Sequence, residues 1–359
     1  MTGQFTEFEG LLCPLPLAHT DKIVMGHGSG GRMSHELISK TFLAAFDNPL
    51  LRMSDDAASV TILEQDSLIS TRLAISTDSH VVMPLFFPGG DIGRLAVCGT
   101  VNDVCMLGAI PQYLTAGFVL EEGLDVEILR RLVTSMQAAA VEANVQIIAG
   151  DTKVVQNGKA DGLYINTTGI GMIPGGVNIS GVNAQPGDAI LVSGTLGDHG
   201  IAVLAARGEL NFQAEISSDV APLNKLVAAM LESTYDIHVL RDPTRGGLAT
   251  SLNEIAIQSQ VSMLIDETAI PVKPAVTAAC EMLGFDPLYV ANEGKLIAIV
   301  AQDQADKLLA AMHEHPLGRD AALIGVVTDK REVEVRLKTA YGTTRVVDML
   351  SGDMLPRIC

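Results

Sequence analysis

The sequence predicts two α+β domains, each built on a mixed sheet. Three observations point there. Short apolar strand-like runs alternate with segments of helical period along most of the chain. The alternation stops at a turn, Gln185-Pro186-Gly187-Asp188, and then begins again. A length of 359 residues fits about two domains, each large enough to bury its own core.

The boundaries follow from that reading. Residues 1–21, with Cys13-Pro-Leu-Pro, read as an irregular arm. Residues 22–186 form the first domain. It begins with KIVMGHGSGGRMSHELI, a short apolar run, a glycine loop and a helix-like pattern. Residues 68–79 (LISTRLAISTDS) read as paired strands, and 91–108 carry apolar residues at helical spacing. PQYLTAGFVL is strand-like, 124–143 is an amphipathic helix, VQIIAGDT is a buried strand, and LYINTTGIGMIP is another strand. In the second domain, 187–347, AILVSG, VSMLIDE and LIAIVA read as strands between helical segments that include 197–208 and 220–234. The sequence from REVEVRL onward reads as an edge hairpin, and 348–359 as a mobile tail ending in Cys359.

Composition narrows the class. Hydrophobic residues at 48% and charged residues at 18% exclude a disordered chain. No run approaches the roughly 18 apolar residues of a membrane span, and MTGQFTEFEG is not a secretory signal. Five scattered cysteines fit a reducing cytoplasm better than a disulfide framework. A net charge of −18 argues against general affinity for nucleic acid, and means that any phosphate ligand must be held by local cations or a metal.

GHGSGG, with Gly28, Gly30 and Gly31, formally matches G-x-G-x-x-G. The acidic residue about 20 positions on in a second strand is missing, so the loop reads equally as a turn or a phosphate cradle. No G-x-x-x-x-G-K-[ST] is present. The aspartates say more. Asp78 and Asp151 end apolar strands, Asp103 interrupts an apolar helix face, and Asp56 and Asp242 lie in SDDAAS and LRDPTRGG. Each alone reads first as a cap or turn former. Together they suit hard cations, which in turn hold phosphate oxygens. Cys98 and Cys105, two helical turns apart, read as core packing rather than as metal ligands.

STDS, the NDV helix, GDTK, SGTLGDHG, RDPTRGG, ANEGKL and HPLG-DAALIG occur in this order, before a terminal PRIC. This combination resembles the hydrogenase maturation factor family HypE over residues ~22–359, within the superfamily of aminoimidazole ribonucleotide synthetase and selenophosphate synthetase. The resemblance implies a two-domain PurM-like α/β fold, with an N-terminal ATP-binding domain that dimerises and a C-terminal α/β domain closing over ATP. It also implies ATP-dependent dehydration of a carbamoyl group on Cys359 to a thiocyanate, the source of a cyanide ligand for the iron of a [NiFe]-hydrogenase. HypF would be the carbamoyl donor and a HypC-HypD scaffold the acceptor. The family's ligands for Mg²⁺ fall on Asp56, Asp78, Asp103 and Asp151, with Asn102, Thr152, Asp242 and Arg245 completing the phosphate environment. Glu293 is the expected base, with Lys153 its electrostatic partner.

Two other readings stay open at this stage. A selenophosphate synthetase would want a reactive cysteine before the glycine loop with a lysine three positions on, and Cys13 lacks that lysine. A non-catalytic nucleotide-binding scaffold is disfavoured by the intact acids of STD, NDV and GDT.

Overall fold

The computed structural model describes residues 22–63, 70–208, 216–329 and 332–350. The arm 1–21 with Cys13, and the terminal residues with Cys359, lie outside them.

The first domain opens with a helix, α1 (Arg32–Leu37), which runs through a π-helical stretch into α2 (Ala44–Phe46). Five strands make a mixed sheet in the order β1-β2-β7-β5-β6. They are β1 (Ala58–Leu63), β2 (Ser70–His80), β5 (Ile110–Glu121), β6 (Gln146–Val155) and β7 (Leu163–Ile173). A small ladder, β3 (Phe86–Phe87) with β4 (Gly90–Asp91), leads into α3 (Ile92–Cys105), and α4 (Val126–Ala143) joins β5 to β6. Asp91 starts α3 by accepting from the Gly93 and Arg94 amides at 2.8 and 3.0 Å, so two otherwise orphaned N–H groups are satisfied. Helix α3 is almost wholly buried, Cys98 and Cys105 included. Burial pushes the Cys98 thiol up to about 12, as suits a core residue rather than a nucleophile.

Two strand expectations are corrected. Residues 68–79 do not pair with themselves: β2 runs unbroken from Ser70 and pairs with β1 on one side and β7 on the other. VQIIAGDT is not buried. β6 pairs with β5 alone, in parallel, and its residues face solvent, with Ile148 56% and Val154 68% exposed. No helix or further strand of this chain covers that edge among the described residues. Its apolar side chains, not its burial, produced the sequence pattern.

The second domain is a seven-stranded sheet in the order β14-β13-β10-β12-β8-β11-β9. Its strands are β8 (Ala189–Val192), β9 (Ile237–Arg241), β10 (Ser262–Asp266), β11 (Ile297–Val300), β12 (Ala322–Thr328), β13 (Val335–Lys338) and β14 (Thr344–Val347). Its helices are α5 (Asp198–Ala206), α6 (Asn224–Ser233), α7 (Gly247–Ser259), α8 (Pro274–Leu283) and α9 (Ala305–Glu314). The unbroken apolar runs AILV and IAIV become β8 and β11, central strands buried at every position. α6 and α9 contribute to a core shared with α3 and α4, whereas α7 belongs to a second core with β10 and β13. The two sheets are therefore welded through α6. Among the described residues no helix is long and apolar enough to cross a membrane.

Candidate functional site

A cavity of about 310 Å³ lies between the two domains, and six chain segments bring residues to it. The loop before β1 supplies Asp55 and Asp56, the end of β2 supplies Asp78 and His80, and α3 supplies Asp103. From the second domain come Arg241, Asp242 and Arg245 around the β9–α7 turn, Glu254 on α7, and Glu293 before β11. Gly30 of the glycine loop closes one side. Its φ of +78° favours glycine, and a β-carbon there would stand 3.1 Å from the Arg245 side chain.

The acids are held by specific partners. Asp55 accepts from the Ser180 hydroxyl and the Gly181 amide, both at 2.7 Å, which anchors the loop. Asp103 Oδ2 accepts from Ser76 Oγ at 2.7 Å. Asp78 Oδ1 accepts from the Ser79 amide at 2.7 Å, and its Oδ2 lies 3.6 Å from His80 Nε2. Arg241 is the buried cation of the group: Nε stands 3.2 Å from Asp56 Oδ2 and NH1 donates to Glu254 Oε2 at 3.0 Å. Asp56 Oδ2 and Arg241 Nε are close enough to attract but are not aligned as a hydrogen bond, and Asp242 Oδ2 is also buried without a hydrogen-bond partner. Glu254 carries a second partner, His35 Nε2 of α1, at 2.9 Å.

Electrostatics follow from burying so much negative charge together. Burial, then the neighbouring Asp78 and Glu254, lift Asp242 to about 7 against the pull of Arg241. Burial, and then the other carboxylates, push Asp56 and Asp103 well above the usual range. Burial lowers His80 against the opposing pull of Asp78, and Arg245 adds to the lowering. A site that strains to keep its acids ionised, and leaves buried carboxylate oxygens without donors, fits a cation. Among the described residues no three such groups stand close enough to hold an ion by themselves. Phosphate oxygens, or ligands from elsewhere, must complete any coordination sphere.

The expected residues thus divide. Asp56, Asp78, Asp103, Asp242, Arg245, Glu293 and Gly30 line one cavity. Gly31 does not: a β-carbon there would lie 2.1 Å from Leu350 O, so it packs against the C-terminal segment, and Gly28 faces open space. Asn102 is also absent from the lining. Its amide donates to Ala221 O and Glu293 O, both at 3.1 Å, and its oxygen accepts from the Leu223 amide at 2.8 Å, which leaves it nothing for a phosphate. Asp151, Thr152 and Lys153 stand on the exposed β6, where the Lys153 ammonium pairs with Asp151 Oδ2 at 2.6 Å. Within one chain, Lys153 is therefore not the partner of Glu293. Sequence reasoning missed Asp55, Arg241, Glu254 and His80. Arg241 and Asp55 each adjoin an expected residue, but Glu254 looks like any helix-surface acid until α7 turns it inward.

The C-terminal segment reaches the glycine loop that borders this site. Leu350 O accepts from the Arg32 amide at 2.9 Å, Arg32 pairs with Asp348 at 2.6 Å, and Tyr289 Oη donates to Asp348 O at 2.8 Å. The chain therefore leaves the described structure beside the glycine loop.

Two α/β domains enclosing an acid-lined cavity define a protein of the AIR synthase related class. The chain matches that class in its N-terminal domain over residues 54–173 and in its C-terminal domain over residues 185–338. The carbamoyl dehydratase HypE of Cupriavidus necator is 57% identical over 338 residues, 94% of this chain and 95% of that protein. A crystal structure of a HypE-HypF complex has a chain 51% identical, with a TM-score of 0.82, covering 88% of this chain and 99% of its own. The hydrogenase maturation protein HypE in complex with ATP is 54% identical, with a TM-score of 0.78, over 93% and 98% of the two chains. The chain belongs to the HypE family.

Proposed function

We propose that this protein is an ATP-dependent carbamoyl dehydratase that converts a carbamoyl group on Cys359 into a thiocyanate. The observation that carries the reading is the docking of Leu350 against Gly31 and Arg32, the residues next in the chain to Gly30, which lines the acid-rich cavity. The nine residues that follow Leu350 span about 30 Å when extended, ample for Cys359 to enter that cavity.

The chemistry starts from a poor leaving group. In S–C(=O)–NH₂ the amide oxygen attacks the γ-phosphorus of ATP, ADP leaves, and loss of one N–H proton gives S–C(=NH)–O–PO₃²⁻. Removal of the remaining N–H proton forms the C≡N bond as the C–O bond breaks, and phosphate departs. Mg²⁺ held by Asp56, Asp78 and Asp103 would neutralise phosphate charge during the first transfer. Arg245 and the loop at Gly30 orient the phosphates, and Asp242 offers an acceptor oxygen at the same place. Glu293 accepts the second proton. Asp151, Thr152 and Lys153, remote from their own cavity, act in the cavity of a second copy. Their apolar edge strand β6 suits a homodimer in which the two first domains meet.

HypF is the carbamoyl donor in this reading, a HypC-HypD scaffold takes the cyano group toward a hydrogenase iron site, and the setting is cytoplasmic. The test is the intact mass of the C-terminal peptide after carbamoylation, before and after ATP. Loss of one water in wild type, none in Cys359→Ala, and none in Glu293→Gln with ATP binding kept is the expected result. A wild-type dehydration rate in single turnover for Glu293→Gln overturns the choice of base. Dehydration in Cys359→Ala overturns the carrier.

A further inference from the structure

Glu293 is gripped from both sides by residues that do not themselves line the cavity. Its backbone N–H donates to Asp219 Oδ1 at 3.1 Å, and its carbonyl accepts from Asn102 Nδ2 at 3.1 Å. The two peptide units flanking its α-carbon are thus fixed by two side chains from separate parts of the fold, and both side chains are buried.

Asp219 lies on a strap, residues 216–223, that stitches the domains together. Ser218 N donates to Pro88 O at 2.8 Å, Arg94 Nε to Val220 O at 3.0 Å, and Asn102 joins the strap through Ala221 O and Leu223 N. On the other side, Asp219 Oδ2 receives Lys295 Nζ at 3.1 Å. Burial opposes ionisation of Asp219, yet Lys295, His199 and the Glu293 amide together hold it below the usual range, so it stays an acceptor. The next residue, Gly294, touches the strap itself: a β-carbon there would sit 1.9 Å from Asp219 O. The turn carrying Glu293 is therefore pressed against the strap with no room to shift.

We infer that Asp219 and Asn102 are positioning residues for Glu293, setting where its carboxylate meets the substrate through the backbone on each side of it. The inference rests on the assignment of Glu293 as base. A base must come within hydrogen-bond reach of the proton it takes, and a displacement of about 1 Å can lower a rate about 10²-fold. The device also makes proton removal depend on domain contact, since Asn102 belongs to the first domain and Glu293 to the second.

The full-length protein, carbamoylated on its tail, is assayed in single turnover with ATP, beside equilibrium ATP binding and a melting curve. Asp219→Ala and Asn102→Ser should each slow dehydration between about 10- and 100-fold while ATP affinity changes less than about threefold. Asp219→Asn retains an acceptor for the Glu293 amide and should recover a good part of the rate. Where Asp219→Ala fails to fold, Asn102→Ser decides the question. Wild-type rates in these variants, or rates that fall only in step with ATP affinity, overturn the inference while Glu293 still stands. A wild-type rate in Glu293→Gln removes the base assignment instead, and the inference with it.

Discussion

The acid cluster predicts a pH dependence that can be worked from one residue. Asp242 titrates at about 7 in the cation-free protein, because it is buried, faces Asp78 on β2 and Glu254 on α7, and is only partly relieved by Arg241. Its unfolded value is about 3.9. The folded state therefore holds a proton that the unfolded chain has released, so this group's contribution to stability is complete below about pH 4 and is lost as pH rises through 7. Between pH 6 and pH 8 the loss is one tenfold change in an equilibrium, about 1.4 kcal/mol. Asp56 and Asp103 are raised as well, by burial first, and act in the same direction. Cation binding requires the ionised acid, so the same proton makes affinity for a Mg²⁺–nucleotide about tenfold tighter at pH 8 than at pH 6, after correction for the nucleotide's own proton. The assay is denaturant unfolding of chelator-treated protein at both pH values, with calorimetric titration of a non-hydrolysable ATP analogue. Asp242→Asn should flatten both dependences by about those amounts. Identical pH slopes in wild type and Asp242→Asn would refute the account of the cluster.

Two further predictions test the periphery of the site. If Asp151 serves the cavity of a second copy, wild-type protein is a dimer by light scattering at micromolar concentration. Mixing inactive Asp151→Ala with inactive Asp103→Asn should then restore up to about a quarter of wild-type activity, in dimers that carry one intact cavity; a monomer, or no recovery on mixing, contradicts the shared site. Gly31→Ala, at an ordinary φ of −86°, introduces a β-carbon 2.1 Å from Leu350 O and should cost about 1–2 kcal/mol by displacing the C-terminal segment. Freeing Leu350 lengthens the tether to Cys359 from nine residues to at most twelve. By the −3/2 power law, the effective concentration of its thiol falls by only about a third. Dehydration should thus slow less than twofold, with ATP affinity unchanged. Loss of ATP binding would show that Gly31 serves the nucleotide rather than the tail.

Local pattern by itself determined much of this protein. Helical period marked α3 and α4, unbroken apolar runs marked β8 and β11, and the turn at Gln185–Asp188 separated the sheets. All of these depend on neighbours in sequence, since side-chain period and turn chemistry are properties of a few adjacent residues. The same holds for Asp56, Asp78, Asp103 and Asp242, whose polar character is conspicuous against apolar surroundings. What the tertiary structure decided was which surfaces meet. β6 has the apolar residues of an interior strand, yet it became an edge, because burial depends on what packs beside it. Asn102 looked like a phosphate ligand beside Asp103, but on a helix adjacent residues point about 100° apart, and it turns toward the strap instead of the cavity. Glu254 and Asp219 carried no local signal at all, and Arg241 only its place beside Asp242. Their charges acquire a role only where chain segments far apart in sequence exclude water together, which is when a carboxylate left without a partner becomes costly enough to demand one.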